Sequence, residues 1–113
     1  MQMTASEVGD ALIVTVDDRR IDAAVAVRFK DKMLELTEHS ANRVILDLGN
    51  VEFLDSSGLG AVVGSMKQLG RQRKLDLVAL TPTVEKVFRI TRMDRVFQIF
   101  PSTDAALEGV ADA

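Results

Sequence analysis

The residues with the most chemical potential form one short run, Asp55-Ser56-Ser57-Gly58-Leu59-Gly60. It joins an apolar approach (Val51, Phe53, Leu54) to the expected start of a helix, where backbone N–H groups lack helical partners. Two accounts fit these residues. In the first, Ser56 or Ser57 is an N-cap and the glycines are packing residues. That gives one serine a task and leaves the other serine and Asp55 without one. In the second, a serine hydroxyl at the helix start accepts a phosphate with little refolding, because the free N–H groups and the helix dipole tolerate a dianion. The phosphate adds about −1.5 to −2 charges at neutral pH, and Asp55 beside it concentrates that charge. Facing an acidic partner, such a patch costs several kcal/mol, and about 4 kcal/mol is nearly a thousandfold in affinity. The serine is then a binding switch and not a catalyst. On the residues alone the two accounts stand level.

Other chemistries are poorly served. His39 is the single histidine and sits in the polar stretch Thr37-Glu38-His39-Ser40-Ala41-Asn42, where an exposed loop position is expected. The absence of cysteine excludes disulfides and thiolate metal sites and fits a reducing compartment. One histidine leaves zinc nearly without ligands. Gly58-Leu59-Gly60 carries no basic residue and misses both common phosphate-loop spacings. No catalytic residue, metal site or cofactor is therefore expected. Asp17-Asp18 and Asp47 suggest a phosphate-accepting receiver domain. That reading expects a lysine after the last strand, where Pro101 stands, and an acceptor at a strand's end, whereas Asp47 is expected inside its strand.

The chain has 113 residues, a size that corresponds to one domain over residues 1–113. Hydrophobic residues make up 47% and charged residues 27%, too apolar for a disordered tail. Fourteen basic residues against 17 acidic ones give a net charge of −3, which argues against nucleic acid as a partner. Neither a signal-peptide pattern nor a membrane-length apolar run is present in the sequence, so no membrane insertion and a cytoplasmic location are expected.

Alternation and helical spacing then supply the elements. A weakly extended stretch, Gln2 to Val8, and the β-branched run Ala11–Val16 read as a hairpin joined by Gly9-Asp10, in the first of the two-residue hairpin turn types. Asp22 is the expected N-cap of a helix reaching about Thr37, with Val25, Phe29, Met33 and Leu36 inward. Arg43–Leu48 is a strand buried on both faces. The helix after Ser57 ends near Gly70, with Leu59, Val62, Val63, Met66 and Leu69 inward and a Gly60/Gly64 face able to approach a sheet. Arg71, Arg73 and Lys74 oppose the dipole at its end. Leu75–Leu80 is the next strand. Thr81-Pro82 starts a helix with threonine as cap, and Val84, Val87 and Phe88 face inward. Val96–Phe100 is the last strand, and Pro101-Ser102 opens a final helix. The order ββαβαβαβα implies an α/β domain with a mostly parallel central sheet and an antiparallel edge strand from the opening hairpin.

Val44-Ile45-Leu46-Asp47-Leu48, followed by Val51-Glu52-Phe53-Leu54-Asp55-Ser56-Ser57-Gly58-Leu59-Gly60, closely resembles the signature of the STAS domain, and more narrowly of anti-sigma factor antagonists (anti-anti-sigma factors). Ile21-Asp22, Thr81-Pro82 and Met93-Asp94-Arg95-Val96-Phe97 extend the resemblance over nearly the whole chain. It implies a non-enzymatic partner-switching protein. The unmodified form binds an anti-sigma factor that is also a serine kinase, phosphorylation releases it, and a metal-dependent serine phosphatase restores it. By motif position the phosphorylated residue is Ser56, with Ser57 its neighbour and a cap. Asp22 matches a family aspartate beside that site, so Asp22, Asp55, Ser56, Ser57, Gly58 and Leu59 are the implied partner-binding residues. Where family members commonly carry Gly-Glu-Leu-Asp and a nearby threonine, this chain has Arg19-Arg20-Ile21-Asp22 and then Ala23-Ala24-Val25. STAS domains also serve as scaffold subunits of stressosome-like and lipid-transport complexes, the alternative implied by the same resemblance.

Overall fold

The runs Leu12–Val16, Val44–Leu46 and Leu75–Val78 combine apolar side chains on both faces, and in a computed structural model describing residues 1–39 and 42–108 they form the centre of a sheet. In chain order the elements are β1 (Met3–Val8), β2 (Ala11–Val16), β3 (Arg20–Ile21), α1 (Ala26–Thr37), β4 (Arg43–Asp47), β5 (Phe53–Leu54), α2 (Ser56–Leu69), β6 (Lys74–Val78), α3 (Pro82–Ile90), a single 3₁₀ turn (Met93–Arg95), β7 (Ile99–Phe100) and α4 (Thr103–Leu107). The main sheet has the order β1-β2-β4-β6-β7, with β1 antiparallel at one edge and the other pairings parallel. This is the mixed sheet expected from the sequence.

The period-2 alternation assigns the two faces. Leu12, Val14, Val16, Val44, Leu46, Leu75 and Leu77 point into the larger core, which α1, α2 and α3 close through Phe29, Met33, Val62, Val84 and Phe88. Phe97 adds an edge-to-face contact with Phe88 at 5.9 Å between ring centroids. Ala11, Ile45 and Val78 point the other way, and among the described helices α4 covers them, through Ala106 and Leu107. On that face Asp76 is 1% exposed and receives Arg43 Nε at 2.9 Å, while Arg43 Nη1 donates to the Ala106 carbonyl at 2.7 Å. The ion pair thus also ties down α4.

Several local expectations are corrected. Gly9 has φ of 62° and Asp10 is not left-handed, the sign pattern of the second primed hairpin turn and not the first. Asp22 does not cap α1, which begins four residues later at Ala26. Its carboxylate instead accepts from the Ala24 N–H at 3.1 Å, closing an Asx turn. The side chain of Thr81 makes no cap bond and donates to the Val51 carbonyl at 2.8 Å. Asp47 closes β4, with Oδ1 accepting from the Gly49 N–H at 2.8 Å. The last strand is only Ile99–Phe100, because left-handed Arg92 (φ 64°) starts a 3₁₀ turn and Phe97 drops into the core. In α2 the expected Leu59, Val62, Val63, Met66 and Leu69 all pack on the core, Val62 and Leu69 as buried residues, and Gly58, Ala61 and Ser65 are buried beside them. Gly60 faces open space, and Gly64 meets the Lys30 side chain on α1 and not the sheet. His39 is exposed as expected, while Ser40 and Ala41 of its stretch lie outside the described residues.

Candidate functional site

Two strands too short to carry a readable period build the site. β3 and β5 pair in parallel, Arg20 with Phe53 and Ile21 with Leu54. The Arg19 carbonyl fastens the start of the pair by accepting from Glu52 N–H at 2.7 Å and from Phe53 N–H at 3.1 Å. The parallel register carries the chain past Ile21 to Asp22 and past Leu54 to Asp55, so the two carboxylates leave the same end of this small sheet. Arg20 stacks its guanidinium on the Phe53 ring at 4.3 Å and pairs Nε with Asp22 Oδ2 at 3.3 Å. Arg20 therefore fixes both the strand pair and the aspartate behind it.

Gly58 seats α2 on this platform. A Cβ at that position would overlap the Ile21 carbonyl oxygen, so the helix start approaches β3 as only glycine allows. The cap is Asp55, with extended backbone (φ −100°, ψ −172°) and Oδ1 accepting from the Gly58 N–H at 2.9 Å. Here the structure corrects the expectation that a serine caps the helix. Asp55 takes the task, and Ser56 and Ser57 occupy the first two helical positions. Both serines are exposed, and neither hydroxyl has a hydrogen-bond partner among the described residues.

Of the six residues expected to act together, Asp22 and Asp55 are half-buried, Ser56 and Ser57 exposed, Gly58 buried and Leu59 half-buried against the core. Asp22 also borders a shallow hollow with Arg19, Arg20, Ala24 and Val25. Sequence reasoning missed Arg20, Ile21 and Phe53 as the elements holding these residues in place. The one local hint was an arginine two residues before one aspartate, Arg20 before Asp22, and an aromatic residue two residues before the other, Phe53 before Asp55. Among the described residues there is no group of three or more potential metal-binding side chains, and no helix is long and apolar enough to cross a membrane.

The STAS domain family model matches residues 2–106. The anti-sigma-B factor antagonist of Listeria monocytogenes is 36% identical over 81 residues, covering 70% of each chain. The anti-sigma-F factor antagonist RsfB of Mycobacterium tuberculosis is 26% identical over 111 residues, 89% of this chain and 91% of its own. The crystal structure of an anti-sigma factor antagonist from Mycobacterium paratuberculosis superposes with a TM-score of 0.86 at 25% identity, over 97% of this chain and 93% of that one. The mixed sheet, the aspartate-capped serine pair and the family match over residues 2–106 lead to one conclusion: this chain belongs to the STAS domain family.

Proposed function

We propose that this protein is an anti-sigma factor antagonist in a partner-switching circuit, with Ser56 as its switch. The unmodified chain binds an anti-sigma factor that is also a serine kinase, phosphorylation of Ser56 releases it, and a metal-dependent serine phosphatase resets it. The observation that carries this reading is the serine pair with free hydroxyls at a helix start capped by its neighbour, Asp55.

The physical logic follows from that cap. Because Asp55 holds the helix start, Ser56 can be modified without removing a bond that folding uses. The N–H groups of the first helical residues have no helical acceptors and tolerate the added dianion, so the phosphorylated fold persists. The phosphate joins Asp55 and Asp22 in one small area, raising its negative charge by about 1.5 to 2 units. Where a partner carboxylate accepts from the Ser56 hydroxyl, that contact is replaced by like-charge repulsion. The effect lies in partner affinity and not in the fold. Ser57, one position further into the helix, serves as the neighbour and not the acceptor in this reading.

The test is phosphosite mapping by mass spectrometry after incubation with ATP and lysate of the native cell, alongside Ser56→Ala. We expect one phosphate on Ser56, absent from the variant, and a variant that still captures the partner but no longer releases it. Stable capture of a partner with no serine phosphate in either protein would overturn the switch and favour a static scaffold subunit.

A further inference from the structure

The far end of α2 holds a second feature, independent of the serine site and about 20 Å from it along the 14-residue helix. β7 begins to pair with β6 only at Leu77, and Val96, just before β7, is 47% exposed. Between the last turn of α2, the first half of β6 and this segment lies an open hollow of about 440 Å³. Met66, Leu75 and Val96 give it apolar walls, and Lys67, Arg71 and Lys74 stand around it. These three cations have no acidic partner among the described residues. The one carboxylate in the wall, Asp76, is already neutralised by Arg43.

Backbone polarity adds to this. Lys74 donates its N–H toward β4, to the Asn42 carbonyl, while Leu77 donates toward β7, to the Gln98 carbonyl. Alternation therefore aims the N–H and C=O of Leu75 at the side where no strand lies beside it. An apolar cavity with a few converging polar groups is the usual form of a small-molecule site, and this volume falls within the usual range.

We propose that this hollow binds a small soluble organic anion, a carboxylate or phosphate group carried on an aliphatic or aromatic body. The apolar body lies against Met66, Leu75 and Val96, and the head is held by Lys67, Arg71 and Lys74. The local cations attract the anionic head and the apolar walls favour a body that leaves water, so the hollow selects ligands that carry both. An extended peptide adding to the sheet is less well served, because Leu75 is the only residue of β6 that offers backbone groups on that side.

The experiment is an NMR titration of the full chain with monomeric octanoate, with octylammonium as the charge control. An acidic peptide and anionic phosphatidylglycerol vesicles serve as competing occupants. Saturable octanoate shifts confined to Met66–Asp76 and Val96–Gln98, with octylammonium inert, are expected. Lys67→Ala/Arg71→Ala, at two exposed positions, weakens binding about tenfold while leaving the amide spectrum of the sheet unchanged. Val96→Asp abolishes it. Equal response to octylammonium, octanoate binding unaffected in the double variant, or binding only of the peptide or the vesicles would each overturn the proposal.

Discussion

The two ends of α2 solve the same problem with opposite charges. At the start, free N–H groups are met by the Asp55 carboxylate, which receives Gly58 N–H at 2.9 Å. At the finish, free carbonyls are met by Arg73, whose Nε donates to Leu69 and whose Nη1 donates to the last carbonyl of α1, Thr37, at 2.6 Å. Each end thus matches the helix dipole with one residue. The difference lies in what that residue fastens. Asp55 secures only its own helix, and close packing on β3 is left to Gly58. Arg73 joins two helices at once. In both places a single side chain does the capping, and the other polar residues nearby, Ser56 and Ser57 at one end and Lys67, Arg71 and Lys74 at the other, are left without structural duties. Residues released in this way are the ones available to a partner.

The comparison can be broken most severely at Gly58. Gly58→Ala drives a Cβ into the Ile21 carbonyl, backbone against backbone, and we expect a loss of about 3 kcal/mol in chemical denaturation together with loss of partner binding. A variant as stable as the parent would show that α2 does not depend on its seat against β3. Next in size is Arg73→Ala, which strips two carbonyls of their donor. About 2 kcal/mol is expected from the same unfolding curves, with earlier hydrogen exchange at the ends of both α1 and α2. Exchange quickened in α2 alone would contradict the shared clamp. Asp55→Ala removes one cap and should cost about 1 kcal/mol. Asp55→Asn, which keeps the acceptor, restores most of that stability while lowering the local charge. The smallest effect sharpens the contrast: Ser56→Ala and Ser57→Ala should each stay within about 0.5 kcal/mol of the parent in thermal melts. A larger cost at either serine would mean that its hydroxyl supports the fold.

The sequence revealed the parts of this architecture that repeat along the chain. β2, β4 and β6 are dense in β-branched and aliphatic residues, α1 keeps Phe29 and Met33 one turn apart, and these patterns led directly to the mixed sheet. What it hid depends on contacts between distant residues. β3 and β5 have two residues each, too few for any period, and exist because Arg20 meets Phe53 and Ile21 meets Leu54. Asp55, Ser56 and Ser57 are all good caps by type, and only the backbone angles at the turn decide among them. Val96–Phe100 has strand composition throughout, but the left-handed turn at Arg92 and the pocket beside Phe88 draw Phe97 inward. The candidate serine was therefore legible from its neighbours in sequence. The platform beneath it was not.

The β3–β5 clip also has a consequence for the order of folding. Its two halves are separated by the whole of α1 and β4, a span as long as the one β2 and β4 must close, yet their pairing gains only a few backbone bonds. The clip is therefore expected to close once the pairing of β2 with β4 has brought its two halves together. Asp22 and Asp55 share one end of the small sheet only in a chain that has finished folding. Under the proposed function, a partner that contacts both carboxylates reads the folded arrangement and not either segment alone.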